Sequence, residues 1–203
     1  VLVLAVAGAS IYIATQVTLA MPGKNFEGAR PALTPAEQQV SAQLKADVVK
    51  LASEIGHRNS IETPDKLEAT AKYLESQFAA AGFAPKRQDI PIDTSVIINR
   101  KTGEQKPVKG TFANVEAELT GTTNAGEIIV IGGHYDSVIG SPGADDNATG
   151  VAAVLALARA FGGKKSERTV RFVGFFNEEP PFWHQPTLMG SSKYAERCKE
   201  RKE

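Results

Sequence analysis

The chain has 203 residues, 42% of them hydrophobic and 23% charged, which is length and apolar content enough for one globular domain with its own core. Lys plus Arg and Asp plus Glu each number 23, so no net field draws the chain to nucleic acid or to an anionic membrane surface. Cys198 is the one cysteine, which excludes an intrachain disulfide and a thiolate zinc cluster.

Residues 1–23 carry no charge and residues 1–14 are almost continuously apolar, the pattern of a membrane-spanning helix or of a signal peptide's apolar region. We expect a transmembrane or signal segment over 1–21, a Pro/Gly-bearing linker over 22–33 and a domain over 34–203. Ala5-Val6-Ala7 and Thr18-Leu19-Ala20 offer small-residue cleavage sites. Either reading makes the protein membrane-anchored or secreted, with its domain in the periplasm or outside the cell. Lys24 and Arg30 weigh against that orientation under the positive-inside rule. The chain opens without a methionine or a basic leader and closes inside a helical pattern, so it is expected to be a C-terminally truncated fragment.

Helices come first in the domain. Thr34-Pro35-Ala36-Glu37 combines an N-cap, a proline at the first helical position and the glutamate of a capping box. Val40, Leu44, Val48, Leu51 and Ile55 then predict one amphipathic helix ending at Gly56. A second start at Thr63-Pro64-Asp65 leads into Leu67, Ala71, Leu74 and Phe78 and stops at Gly82. Residues 87–98 and 111–119 alternate apolar and polar positions around Lys101-Thr102-Gly103, which predicts paired strands with one wet face. The unbroken run Ile128-Ile129-Val130-Ile131 predicts a strand buried on both faces, with His134 at its carboxyl end, where sites sit in α/β sheets. A helix over 148–161, a strand over 169–176 and a charged helix from Ser191 complete the pattern.

Three acidic or histidine-bearing segments stand at these strand ends and helix starts. In His134-Tyr135-Asp136 the carboxylate can bond the far nitrogen of the imidazole, fixing its tautomer and raising its basicity as a metal ligand, although a hydrogen-bonded histidine at a strand end needs no metal. In Asp145-Asp146-Asn147 one side chain suffices to cap the following helix, and a second adjacent carboxylate is costly unless a cation offsets it. Glu178-Glu179 can divide the work of metal ligand and general base between neighbours, but an isolated Glu-Glu is usually a solvated surface pair.

Taken together, Gly132-Gly133-His134-Tyr135-Asp136-Ser137-Val138, Pro142 to Gly150, Arg168 to Glu179 and Met189-Gly190-Ser191 resemble the dizinc aminopeptidase family, which includes bacterial secreted aminopeptidases and glutamate carboxypeptidases. Residues 51–83 resemble its leading helices more loosely. The resemblance implies an α/β fold with a mixed, mostly parallel central sheet flanked by helices. It implies two zinc ions, with His134 on one, Glu179 on the other, Asp146 bridging both, Asp136 supporting His134 and Glu178 as general base. A cis peptide at Asp146-Asn147 is implied in the same way. The reaction implied is hydrolysis of the N-terminal peptide bond of a peptide or protein.

The family's pattern also calls for an aspartate and a histidine after the Glu-Glu pair. Here Glu196, Glu200 and Glu203 lie in a Lys/Arg-rich helical stretch that reads as a solvated face. His184, in Pro180-Pro181-Phe182-Trp183-His184, reads as part of a loop lining a substrate pocket, and His57 is a weaker candidate still. Each zinc is thus left two protein ligands where catalytic zinc ordinarily takes three, and activity of this chain alone is not expected. Two other readings stay open: a single-zinc acyl transfer of the glutaminyl cyclase type, and a noncatalytic relative acting as a binding module.

Overall fold

Thr34 opens the first helix of the computed structural model, which describes Tyr12 and residues 27–203. Its hydroxyl accepts from the Glu37 N–H at 3.3 Å while the Glu37 carboxylate accepts from the Thr34 N–H at 2.7 Å, closing the expected capping box. The segment expected over 1–21 lies, apart from Tyr12, outside the described residues. Among the described residues no helix is long and apolar enough to cross a membrane. Two units divide the chain, Val1–Leu33 and Thr34–Glu203, and the elements named below all belong to the second.

The single helix expected to Gly56 is in fact two segments: α1 over Pro35–Val48, then a π-helical stretch over Val49–Ile55. The wider turn rotates the apolar stripe, so that Leu51 and Ala52 enter the core while Val40, on the same predicted face, stays 46% exposed. The residue α1 buries is Asp47, whose carboxylate accepts from the Arg159 guanidinium at 2.6 and 2.9 Å and from the Tyr73 hydroxyl at 2.6 Å. Helix α2 (Pro64–Ala80) buries Leu67, Ala71, Leu74 and Phe78 as its spacing predicts.

Strands β1 (Lys86–Asn99) and β2 (Glu104–Leu119) form a long antiparallel hairpin, β3 spans Asn124–His134 and β4 spans Arg168–Phe175. Their order is β1-β2-β4-β3. Only β3 and β4 run parallel; β2 pairs antiparallel with both β1 and β4. The sheet is mixed as expected, but mostly antiparallel where mostly parallel was expected, because a two-strand hairpin supplies half of it. A second correction concerns β3. It stands at the end of that order, with Ile129 and Val130, on opposite faces, 45% and 44% exposed, whereas the central strand β2 buries Phe112 to Ala117 without a break. An unbroken apolar run thus marked an edge here, and the doubly buried strands are β4, buried from Thr169 to Gly174, and β2, which carries Asn114 and Glu116 inside it.

Those two polar residues are satisfied. Asn114 donates to the Gly190 carbonyl at 2.8 Å and accepts from the Phe176 N–H at 3.3 Å, and Glu116 accepts from the Tyr194 hydroxyl at 2.7 Å and from Arg197. Both tie helix α4 (Gly190–Arg201) to the sheet. Helix α3 (Thr149–Phe161) makes the crossover from β3 to β4 and buries Val151, Val154, Leu155 and Ala158.

Candidate metal centre

The parallel register sets His134 of β3 directly opposite Phe175 of β4. The residues after Phe175 must therefore emerge beside His134, and they are Phe176-Asn177-Glu178-Glu179. Asn177 turns the chain here with a left-handed backbone (φ 52°), its side-chain oxygen accepting from the Ser60 hydroxyl at 2.6 Å. Beyond β3, the Tyr135 N–H donates to the Phe175 carbonyl at 2.8 Å and prolongs the pairing by one residue.

Asp136 joins the two strand ends. It is 1% exposed, and its two carboxylate oxygens accept the backbone N–H groups of Glu178 and Glu179, each at 3.1 Å. One of them also lies 3.3 Å from His134 Nδ1. The carboxylate therefore orients the imidazole of one strand end and fixes the main chain of the other.

Asp146 arrives by a different route, from the turn over Ala144–Ala148 that precedes α3. The bond between Asp146 and Asn147 is cis, as expected. Asn147 Oδ1 accepts from the Gly150 N–H at 2.9 Å, an approach so close that a Cβ on Gly150 would collide with that amide. Gly143, left-handed at φ 56°, is equally constrained, since a Cβ there would stand 2.6 Å from the Asp146 carbonyl oxygen and from Ser137 Cβ.

The outcome is a group of three: one donor atom each from His134, Asp146 and Glu179, all within 4.8 Å of one another. His134 Nε2 is 2.9 Å from Asp146 Oδ1 and 3.6 Å from Glu178 Oε2. Glu179 is buried, and its Oε1 has no hydrogen-bond partner among the described residues. A buried carboxylate oxygen without a donor is costly, and a cation at the focus of the group would satisfy it. An imidazole and two carboxylates with an open side are a fitting set for zinc, which takes three protein ligands in catalytic sites. Asp146, its side chain 75% exposed, marks the open side.

Electrostatics point the same way. Burial, with repulsion from Asp136 and Asp146, pushes the Glu179 carboxyl up to about 7. Burial works against the His134 imidazolium, but Asp136, with Glu178 and Asp146, outweighs it and holds its pKa up to about 9. A proton between His134 and Asp146 thus sits where a metal would bind, and metal uptake must release it. Both folded pKa values lie above their ordinary values of 4.5 and 6.5, so both groups stabilise the metal-free fold most at low pH. That contribution is lost as pH rises through about 7 for Glu179 and about 9 for His134. Thermal melts in chelator should therefore show a midpoint falling across this range, and saturating zinc should flatten the fall. A midpoint independent of pH in chelator would contradict the coupling.

Of the other candidates, His57 is not in the group; its Nε2 accepts from the Gly140 N–H at 3.1 Å. The side chain of His184 lies outside the described residues. Asp145 is also outside the group, and its carbonyl accepts from the Thr149 hydroxyl at 2.7 Å. One residue beneath the site has no sequence signature. Arg58 is fully buried, and its guanidinium donates to five main-chain carbonyls, those of Leu51, Gly56, Tyr135, Pro142 and Gly143. Burial lowers its pKa to about 10, opposed by Asp136 and Glu179, so it keeps its charge at neutral pH.

Residues 114–203 match the model of peptidase family M28. The uncharacterized protein YfbL of Escherichia coli K12 is 32% identical over 172 residues, covering 81% of this chain and 48% of that protein. Aminopeptidase YwaD of Bacillus subtilis is 37% identical over 75 residues, covering 37% of this chain and 15% of that protein. The chain thus spans about half the length of the first relative and less of the second. Among solved structures, the aminopeptidase of Aneurinibacillus sp. strain AM-1 superposes with a TM-score of 0.57 at 19% identity, covering 77% of this chain and 66% of that one. Over that share the chain has the fold of this aminopeptidase, a mixed sheet flanked by helices.

Proposed function

We propose, from the premise that residues 114–203 match the model of peptidase family M28, that the protein hydrolyses N-terminal peptide bonds as a zinc aminopeptidase. The observation that carries the reading is the convergence of His134, Asp146 and Glu179 on one point, with Glu178 beside it and Glu179 Oε1 buried without a partner. In this reading His134, Asp146 and Glu179 are the ligands this chain contributes. Asp146 is the one shared when two ions bind, so metal analysis should return two zincs per chain only where further ligands complete the set. A metal held there supplies Lewis acidity toward the scissile carbonyl and lowers the pKa of water.

The chain's own residues do the rest. Glu178, with its side chain 37% exposed, reaches the open side of the group and serves as general base, taking a proton from the attacking water and passing it to the leaving amine. Asp136 aims both its neighbours, His134 from one strand and the Glu178-Glu179 main chain from the other. The substrate is a peptide with a free N-terminus. Residues 1–21 belong to the same proposal, as the segment that exports the domain or anchors it outside the cytoplasm.

The test is zinc-dependent release of the first residue from a free peptide by the protein with its two further ligands present, this chain alone being expected to be inactive, with no cleavage of the same peptide N-acetylated. Chelator should abolish release and added zinc restore it. Cleavage of the acetylated peptide, or activity indifferent to chelator, would overturn the reading. A Gln-initiated peptide returned cyclised with loss of ammonia would favour acyl transfer over hydrolysis.

A further inference from the structure

We infer that Arg58 is a positioning residue for this centre: its guanidinium spans the loop between His134 and Asp146 and sets how far apart the two ligands stand. The inference rests on the metal reading of the site. Residues 135–143 leave β3 just after His134 and return just before the turn that bears Asp146. Arg58 Nε donates to the Tyr135 carbonyl, at the loop's start, at 2.6 Å. Nη1 donates to the Pro142 carbonyl at 2.6 Å and Nη2 to that of Gly143 at 3.1 Å, at the loop's end. The remaining bonds of Nη1, to the Leu51 and Gly56 carbonyls at 3.3 and 3.2 Å, anchor the fork to the π-helical stretch and its cap.

The main chain of Arg58 holds the same loop. Its N–H donates to Ser137 Oγ at 3.1 Å, its carbonyl accepts from the Ser137 N–H at 2.9 Å, and Ser137 Oγ donates to the Ser141 carbonyl at 2.9 Å. Ser137 and both ends of the loop are therefore tied to one residue. A planar fork with five donors can bridge carbonyls on separate segments, and a lysine ammonium cannot reproduce that spread. None of its hydrogen bonds is to a carboxylate, so the guanidinium is not serving as half of an ordinary buried ion pair.

The test compares Arg58→Lys and Arg58→Met with Phe78→Ala, a change to a fully buried residue of α2. Three quantities are read on the full chain: thermal midpoint, zinc affinity by chelator competition, and hydrogen exchange of residues 135–143 in the metal-free protein. Both Arg58 variants are expected to weaken zinc by about 10-fold or more and to speed exchange in 135–143. Phe78→Ala should lower the midpoint while leaving zinc affinity and that exchange as in the parent. If Arg58→Met does not fold, Arg58→Lys decides. Zinc affinity and exchange unchanged in Arg58→Lys, or lost equally in Phe78→Ala, would overturn the inference. A parent chain that binds no zinc would sink the metal reading, and exchange in 135–143 would still decide whether Arg58 holds the loop.

Discussion

Glu178→Ala is expected to reduce peptide hydrolysis by about 10²- to 10⁴-fold while the chain goes on binding zinc. The reason lies in how two adjacent glutamates are placed. Glu179 is buried and belongs to the donor group; Glu178 is half exposed and stands 3.6 Å from His134 Nε2 on its open side. Removing Glu178 takes away a proton acceptor and leaves the three donors where they were. Glu179→Ala removes a donor, so zinc should be lost with activity. The pair is read by metal analysis after gel filtration together with turnover. Equal zinc loss in both variants would show that the roles are not divided in this way.

Asp136→Ala should be the most damaging change to the fold at the site. It would strip the acceptor from the buried N–H of Glu179 and from that of Glu178, each at 3.1 Å, at a cost of about 1–3 kcal/mol apiece. Against a total stability of roughly 5–15 kcal/mol for a domain, that is a large fraction. His134 would lose its orienting partner as well, which in comparable sites lowers metal affinity about 10- to 100-fold. Urea unfolding of the metal-free chain separates the first effect from the second, which chelator competition reads. Asp136→Asn keeps one acceptor oxygen and should fall between the two. Full stability in Asp136→Ala would mean that the Glu178-Glu179 turn is held by something else.

The donor set was legible because its members sit where local rules put them. His134 comes after an apolar run, Asp146 precedes an amphipathic helix, and Glu179 comes after a second strand. Periodicity and turn chemistry also located the helices and strands of the described residues to within a few positions, if the π-helical stretch over Val49–Ile55 is counted with α1, with one exception among the strands. The second strand of the hairpin begins at Glu104, seven residues before the expected start at Thr111; Pro107, Lys109 and Gly110, which interrupt the alternation, pair with Ser95, Asp93 and Ile92. Burial was harder to read. Composition placed the doubly buried strand at Ile128 to Ile131, but pairing partners decide which strand is central, and partners lie far along the chain. Arg58 escaped for the same reason. An arginine in a polar loop ordinarily reaches water, and only the return of residues 135–143 over it completes the set of five carbonyls that holds it inside.

The parallel pairing of β3 with β4 has a bearing on how such a chain can vary. His134 and the Glu178-Glu179 turn owe their proximity to a ladder of main-chain hydrogen bonds in which His134 stands opposite Phe175. The segment from the end of α3 to the start of β4, residues 162–167, carries none of the donors; its Ser166 and Glu167 carbonyls accept from the Thr122 and Asn124 N–H groups at the far end of the ladder, each at 2.9 Å, and leave residues 163–165 outside it. Lineages are thus free to lengthen or shorten this connection without retuning the distances between donors, while a shift of one residue in the ladder would turn the imidazole away from its partners. Descent should therefore record length changes at Gly163 to Lys165 and strict constancy of spacing from Ile128 to His134 and from Thr169 to Glu179.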